Sequence, residues 1–331
     1  MATRNKPTQR RIDPKKTAAA AKSRSGKPGG RPPKAPPIPQ ATARDWIGGA
    51  RLRTLPLAIA PVALGTGAAY LYDNDEGWHW VRALLCLVVA VALQIGVNYA
   101  NDYSDGIRGT DAHRVGPSRL TGSGAAKPRT VLTVALVFFA IAGVAGILVS
   151  VLSGHPWLIA VGAVCIVAAY FYTGGKHPYG YYGLGEVFVF VFFGLVATAG
   201  TMFVQVGTVS FEAWLAAVAI GLLACAVLMV NNIRDARQDV LASKRTLAVL
   251  LGDMPSRITF AVLTLAPFGI LAYFAVFLPL ALYVFFALLA AVPAVIITLT
   301  AKTAPEFILA LKLTSLTALL FGVGLGAAFA F

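Results

Sequence analysis

The chain has 331 residues, of which 57% are hydrophobic and 13% are charged. Soluble domains are usually about 45–50% apolar and about 25% charged, so this composition argues against a soluble enzyme. The formal net charge is nevertheless +14. An apolar chain with a strong positive charge is typical of an integral membrane protein that carries basic segments outside the bilayer.

Most of this positive charge lies at the N-terminus. Residues 1–54 contain 14 of the 28 Lys and Arg residues, and the remainder of the chain is nearly neutral. Nucleic-acid binding is therefore a weak interpretation of the charge, and we predict no nucleic-acid partner. Residues 1–43 are rich in proline and basic residues, which predicts a disordered cytoplasmic tail close to anionic lipid. Residues 44–331 then form the folded domain.

Apolar runs repeat from Leu55 onward, each close to the about 20 residues that a membrane-spanning helix needs. We predict spans at 55–72, 81–101, 131–152, 156–173, 185–206, 213–232, 258–278, 280–300 and 309–330. The predicted fold class is thus an all-α integral membrane protein with nine transmembrane helices, arranged as two four-helix halves plus one. The cysteines Cys86, Cys165 and Cys225 lie in these runs, and we interpret them as buried apolar residues.

The distribution of charge among the loops predicts an orientation. If the tail is cytoplasmic, the loops at 102–130, 174–184, 233–257 and 301–308 are cytoplasmic as well. Every Lys and Arg except Arg82 then lies in the tail, in these loops or beside them. The positive-inside rule therefore predicts a multi-pass protein of the cell membrane, with a cytoplasmic N-terminus and an external C-terminus.

Two of the predicted spans end in clusters of Asn and Asp. The first cluster is Asn98, Asp102 and Asp105, and the second is Asn231, Asp235 and Asp239. The spacings i, i+4, i+7 and i, i+4, i+8 place each cluster on one helical face. Carboxylates are unfavourable at helix C-termini and inside membranes, so two such clusters indicate a shared cation. Oxygen ligands favour Mg²⁺ bound together with substrate phosphates, which makes Mg²⁺ the predicted cofactor.

Basic residues follow both clusters. Arg114 and Arg119 come after the first, and Lys244 and Arg245 come after the second. Such cations can bind the diphosphate oxygens that a metal leaves free, which makes diphosphate a good leaving group. Beside an apolar interior, this site suits an allylic diphosphate with a long hydrocarbon tail. A third polar segment, 172–186, is either an interfacial aromatic belt or a pocket for an aromatic acceptor.

The motifs NYANDYSDGIRGTD and NNIRDARQD…SKRTLAVLLG resemble those of the UbiA superfamily of intramembrane prenyltransferases. Within it, the sequence is most similar to the 1,4-dihydroxy-2-naphthoate polyprenyltransferases of menaquinone biosynthesis. The segments that carry this second similarity are RLRTLPLAIAPVALGTGAA at 51–69, DAHRVGPSRLTGSG at 111–124, YTGGKHPYGYYGLGE at 172–186 and FVFFG at 190–194. The resemblance covers residues 44–331 and excludes the tail.

The resemblance implies a nine-span fold around a central, lipid-accessible cavity whose active site faces the cytoplasm. It implies transfer of a long polyprenyl chain from polyprenyl diphosphate to 1,4-dihydroxy-2-naphthoate, with loss of CO₂. The implied metal ligands are Asp102, Asp105, Asp111, Asp235 and Asp239. The implied catalytic residues are Asp102, Asp105, Asp235, Asp239 and Lys244. Ser243 stands where the family usually has Gly, so we expect the loop before Lys244 to be slightly stiffer.

Seven residues are candidates for substrate binding. They are Asn98 and Asn232 from the motifs, Arg114 and Arg119 from the segment after the first motif, Lys176 and Tyr172 from the third polar segment, and Arg53. The charge and position of Arg53 suggest that it binds the carboxylate of the acceptor.

Two alternative functions stay open at the level of the sequence. The first is prenyl transfer to another aromatic acceptor, 4-hydroxybenzoate or homogentisate, against which the GIRGTD insertion and the YTGG loop argue. The second is secondary transport, because transporters also contain repeats and intramembrane charge. Transporters, however, usually bind at helix breaks near the membrane midplane, whereas these charges lie at helix ends.

Overall fold

The computed structural model describes residues 40–73, 79–110 and 119–331. These residues form helices and turns, with no strand among them, which confirms the all-helical class. Most of the predicted tail lies outside the described residues, and so do Asp111 and Arg114. Their predicted roles stay predictions.

The helices follow one another in chain order. Helix α1 is Ala43–Gly49, α2 is Pro56–Tyr72, α3 is Trp80–Arg108 and α4 is Pro128–Leu152. Helix α5 is Leu158–Phe171, α6 is Gly185–Val206, α7 is Phe211–Leu241 and α8 is Leu247–Leu251. Helix α9 is Asp253–Phe277, α10 is Pro279–Thr300 and α11 is Ala304–Ala330. Helix α6 contains a π-helical stretch at Phe190–Val196, and α10 begins with a 3₁₀ stretch at Pro279–Ala287.

Seven helices in the described part of the chain are long and apolar enough to cross a membrane: α3, α4, α6, α7, α9, α10 and α11. A multi-pass membrane protein is therefore confirmed, but nine spans are not. Helix α2 meets the same criterion only together with the short helices before it, from which it is bent by 46°. Helix α5 has 14 residues, and at about 1.5 Å per residue it is shorter than the about 30 Å hydrocarbon core.

Two predicted loops begin inside helices. Helix α3 continues to Arg108 and α7 to Leu241, so both helices extend beyond the predicted ends of their spans at 101 and 232. The acidic residues beyond the hydrophobic runs, Asp102, Asp105, Asp235 and Asp239, are buried within these helices. Helix α3 then ends at Gly109, whose φ of +73° is the left-handed conformation that favours glycine.

Helices α2 and α11 pack with their backbones in close approach. A Cβ atom added to Gly67 would lie 2.1 Å from the carbonyl oxygen of Gly326, and one added to Gly326 would lie 2.6 Å from that of Ala63. Glycine at such contacts is common in membrane proteins, where association depends on close packing rather than on a hydrophobic driving force. This contact holds α2, whose Ala58 and Val62 line the cavity described below.

Substitution of Gly326 by Ala should therefore destabilise the protein, because the new Cβ atom would overlap the α2 backbone. Overpacking of this kind costs about 1–3 kcal/mol. The matched control is Gly269→Ala in α9, where an added Cβ atom meets nothing within 4 Å. In a helix interior that change should stabilise by about 0.5–1 kcal/mol. Thermal unfolding in detergent measures both, and a Gly326→Ala variant as stable as Gly269→Ala would refute the prediction.

Candidate active site

A cavity of about 550 Å³ lies among helices α2 to α7. Its walls are largely apolar along α4, α5 and α6, where residues such as Ile147, Ile159 and Phe192 line it. Polar residues line it where α3 and α7 end. They are Asn98, Asn101, Asp102, Asp105, Asn231, Asn232, Arg234, Asp235 and Asp239. The cavity thus combines an apolar compartment with a strongly polar end.

The two acidic clusters meet at this polar end. A small hollow of about 20 Å³ is lined by Asp105 from α3, by Asp235 and Asp239 from α7, and by Lys244. The helical spacing places each cluster on one face, and the tertiary structure brings the two faces to opposite sides of this hollow. Asp105, Asp235 and Asp239 therefore border one hollow, and Asp102 lines the larger cavity.

The first cluster also forms hydrogen bonds to nearby backbone segments of the protein. The two oxygens of Asp102 accept hydrogen bonds from the backbone N–H groups of Leu120 and Thr121, at 2.9 and 2.8 Å. Asn98 donates from Nδ2 to the carbonyl oxygen of Ala50 at 3.0 Å. Since each carboxylate oxygen has two lone pairs, these bonds leave Asp102 able to bind a cation.

Asp105 is held by one hydrogen bond and one ion pair. The hydroxyl of Tyr181 donates to its Oδ1 at 2.7 Å, and Nη1 of Arg119 lies 3.0 Å from its Oδ2. Burial, followed by the negative charge of Asp105, raises the pKa of Tyr181. The phenol therefore stays protonated and acts as the donor to Asp105.

The second cluster has its own cations. Arg234 binds Asp235 through two hydrogen bonds of 2.7 Å and donates to Oδ1 of Asn231 at 2.8 Å. Arg234 belongs to a segment that was predicted as a cytoplasmic loop. It is instead buried within α7, because that helix extends to Leu241. Lys244 lies with Nζ 3.8 Å from Oδ1 of Asp239.

Asn232 is oriented by a buried glutamate, Glu186, which was not among the predicted site residues. Its Nδ2 donates to Oε1 of Glu186 at 3.0 Å, and Oε2 of Glu186 has no hydrogen-bond partner among the described residues. An ionised carboxylate only accepts hydrogen bonds. Glu186 therefore orients the Asn232 amide with its NH₂ group toward the carboxylate. Glu186 lies in the third polar segment, and its contact with α7 could not be predicted from residue spacing.

The remaining candidates divide into two groups. Arg53, Arg119 and Tyr172 line the cavity. Lys176 is exposed and is not part of the lining. The structure therefore does not bring Lys176 to the cavity.

The donors fit Mg²⁺ in one particular way. Within residues 40–73, 79–110 and 119–331, no group of three or more Asp, Glu, His or Cys side chains is placed to hold a metal ion by itself. Mg²⁺, however, usually takes one or two carboxylates and fills its other positions with water and substrate phosphates. The carboxylates around the shared hollow fit a Mg²⁺ ion that takes one or two of them and fills its other positions from water and a diphosphate.

Comparison with known proteins assigns the chain to a family. The model of the UbiA prenyltransferase family matches residues 58–316. The chain belongs to this family. It is 55% identical over 233 residues to the 1,4-dihydroxy-2-naphthoate octaprenyltransferase of Mycobacterium tuberculosis, a match that covers 70% of this chain and 78% of the relative. It is 37% identical over 238 residues to the Escherichia coli protein of the same name, covering 70% and 76%.

Solved structures show the same fold. The apo structure of a UbiA homolog from Aeropyrum pernix K1 superposes with a TM-score of 0.61 at 16% identity, covering 82% of this chain and 96% of that one. A UbiA homolog from Archaeoglobus fulgidus bound to GPP and Mg²⁺ gives 0.58 at 14% identity, covering 86% and 99%. The predicted family and its class, an intramembrane prenyltransferase, are confirmed.

The loop before Lys244 contains a residue other than glycine with a positive φ. Ser243 adopts a φ of +55°, in the left-handed region. The turn lets the backbone N–H of Lys244 donate to the carbonyl oxygen of Asp239 at 2.8 Å. The same turn keeps the Lys244 ammonium beside the second cluster. A left-handed conformation is strained for any residue with a Cβ atom.

Ser243→Gly should therefore stabilise the protein. Relief of about 1–2 kcal/mol of backbone strain is partly offset by the greater freedom of glycine in the unfolded chain, so we expect a net gain of about 0.5–1 kcal/mol. The reciprocal control is Gly109→Ser, which introduces the same strain at a φ of +73° where nothing lies within 4 Å. Thermal unfolding in detergent should rank Ser243→Gly above and Gly109→Ser below the wild type. The reverse order would contradict the assignment.

Proposed function

We propose that this prenyltransferase transfers a polyprenyl chain from polyprenyl diphosphate to 1,4-dihydroxy-2-naphthoate, releasing diphosphate and CO₂ and forming demethylmenaquinol. The observation that carries the proposal is the convergence of two acidic helix ends and Lys244 at one end of an apolar cavity. Such a site accepts a charged diphosphate and a hydrocarbon chain at once. The names of the relatives at 55% and 37% identity support the naphthoate as acceptor.

The diphosphate lies at the polar end in this proposal. Lys244 and Arg119 line the cavity there, and both can donate charge-assisted hydrogen bonds to phosphate oxygens. Asp102, Asp105, Asp235 and Asp239 would hold Mg²⁺, and Asp111 is a further candidate ligand from the sequence. Mg²⁺ bound there would neutralise diphosphate charge and so make it a better leaving group.

The apolar compartment then holds the prenyl chain and shields the reacting carbon from water. Tyr179, Phe188 and Phe192 line it. The rings of Tyr179 and Phe188 stack with centroids 3.9 Å apart, and Phe188 and Phe192 lie 6.0 Å apart. Aromatic faces attract cations. This group is therefore suited to stabilise the positive charge that develops on the allylic carbon as diphosphate leaves.

The acceptor reacts through the ring carbon that bears its carboxylate. The carbon–oxygen bond of the prenyl diphosphate breaks, and its electron pair leaves with the diphosphate. An electron pair of the ring forms the new carbon–carbon bond. The bond to the carboxylate then breaks, its electron pair restores the aromatic ring, and CO₂ leaves. Arg53, which lines the cavity, binds the acceptor carboxylate and orients the ring before transfer.

The proposed arrangement in the membrane has nine spans with a cytoplasmic N-terminus, an external C-terminus and a cytoplasmic active site. The seven long helices supply seven spans, α2 supplies the eighth, and α5, although shorter than the hydrocarbon core, supplies the ninth. The basic residues near the acidic clusters support this orientation through the positive-inside rule. We also propose that the central cavity is accessible from the lipid, so that the long-chain diphosphate enters sideways.

An acceptor panel tests the function. Purified protein with polyprenyl diphosphate and Mg²⁺ receives 1,4-dihydroxy-2-naphthoate, 4-hydroxybenzoate or homogentisate. Mass spectrometry should find a prenylated product from the naphthoate alone, with a mass that shows the loss of CO₂, and only when Mg²⁺ is present. Product from another acceptor, or from the naphthoate with its carboxyl group retained, would refute the proposal.

Variants of the acidic clusters test the site in the same assay. Asp102→Asn and Asp235→Asn should each lower the rate about 100-fold, which is at the upper end of losses typical for altered metal sites. The control is Asp253→Asn, which removes a carboxylate that binds Arg257 at 2.9 Å on α9, outside the cavity lining. The control should keep wild-type activity. Full activity in both cluster variants would disprove the metal assignment.

Arg53→Ala should raise the KM for the naphthoate while leaving the KM for polyprenyl diphosphate unchanged. A hydrogen bond to a charged group contributes about 1.5–3 kcal/mol, so the rise should be about tenfold or more. Arg44→Ala is the matched control, because Arg44 is exposed on α1 and is not part of the cavity lining. An unchanged acceptor KM in Arg53→Ala would exclude the proposed contact.

A further inference from the structure

Tyr181, between α5 and α6, connects the two acidic helix ends. Its hydroxyl donates to Oδ1 of Asp105 at the end of α3, at 2.7 Å. Its carbonyl oxygen accepts the backbone N–H of Arg245, in the loop after α7, at 2.9 Å. One residue therefore contacts both parts of the site.

The ring of Tyr181 provides a second connection. Nζ of Lys244 lies 5.2 Å from the ring centroid, and Cζ of Arg108 lies 5.3 Å from it. Both distances are within the about 6 Å range of a cation–π contact. Lys244 is thus held between the Tyr181 ring and the carboxylate of Asp239, which lies 3.8 Å away. The ring limits where the ammonium group can lie.

The segment that carries Tyr181 is itself anchored to α3. Arg108 donates hydrogen bonds to the carbonyl oxygens of Thr173 and Gly175. The hydroxyl of Thr173 donates to Oδ1 of Asn101 at 2.6 Å. Because these contacts fix the start of the segment on the helix that carries Asp105, the Tyr181 side chain has a defined place from which to orient its partners.

We infer that Tyr181 is a positioning residue that aligns the two parts of the diphosphate site. Its hydroxyl orients Asp105 for Mg²⁺, and its ring orients Lys244 for the diphosphate. The inference rests on the proposed function of this site. Groups that orient metal ligands without touching the metal change its affinity by about 10–100-fold when they are removed.

Two substitutions separate these roles. Tyr181→Phe removes the hydroxyl and keeps the ring, whereas Tyr181→Leu removes both. Tyr182→Phe is the matched control, because it deletes the hydroxyl of the adjacent residue. Tyr182 is 56% exposed, and its hydroxyl lies 3.3 Å from Nδ1 of His177, away from the acidic clusters.

Binding is measured on the purified full-length protein in detergent by calorimetric titration. One titration adds Mg²⁺ in the presence of inorganic diphosphate, and the other adds inorganic diphosphate at saturating Mg²⁺. Tyr181→Phe should weaken Mg²⁺ binding about tenfold and leave diphosphate binding unchanged. Tyr181→Leu should weaken Mg²⁺ binding as much and diphosphate binding about threefold as well, through the lost cation–π contact. Tyr182→Phe should match the wild type in both titrations.

Three results would overturn the inference. Equal Mg²⁺ affinity in Tyr181→Phe and Tyr182→Phe would exclude a role for the hydroxyl. Equal diphosphate affinity in Tyr181→Leu and Tyr181→Phe would exclude a role for the ring. Equal loss of both affinities in Tyr181→Phe would indicate general disruption of the loop. These titrations need no acceptor, so a failure of naphthoate prenylation would refute the proposed function without affecting their interpretation.

Discussion

The structure depends on the placement of several carboxylates at one end of an apolar cavity. Like charges in a poorly solvated place repel each other and lose hydration, so they need nearby donors or cations. Asp102 accepts hydrogen bonds from the backbone amides of residues 120 and 121. Asp105 contacts Arg119 and Tyr181, and Asp239 contacts Lys244. Arg234 pairs with its neighbour Asp235. The polar end of the cavity is thus a network of paired opposite charges.

The helices around this network are built to hold it open. Glycines let α2 and α11 pack with their backbones in close approach, and this packing keeps α2 at the side of the cavity. Helices α4, α5 and α6 present apolar side chains to the space between them. A polar end and an apolar compartment therefore coexist in one cavity because different helices supply them. This division corresponds to the two chemical parts of a prenyl diphosphate.

Much of the site could be predicted from residue spacing. Asn98, Asp102 and Asp105 share a helical face by their spacing alone, and so do Asn231, Asp235 and Asp239. The cavity lining contains all six. Tyr181 and Glu186 could not be assigned in this way, because their partners lie 76 and 46 residues away in sequence. Lys176 lies outside the cavity lining, a placement that depends on the path of its loop rather than on composition.

The sequence by itself determined the helical class, the membrane location, the two acidic faces and the family, because these follow from local periodicity, composition and short motifs. Only the tertiary structure decided that the acidic faces meet, that Arg234 lies buried beside Asp235, and that Tyr181 lies between Asp105 and Lys244. It also decided that α5 is shorter than a membrane thickness. These features depend on which helices pack together and how their ends turn, and no local pattern in the chain encodes such distances.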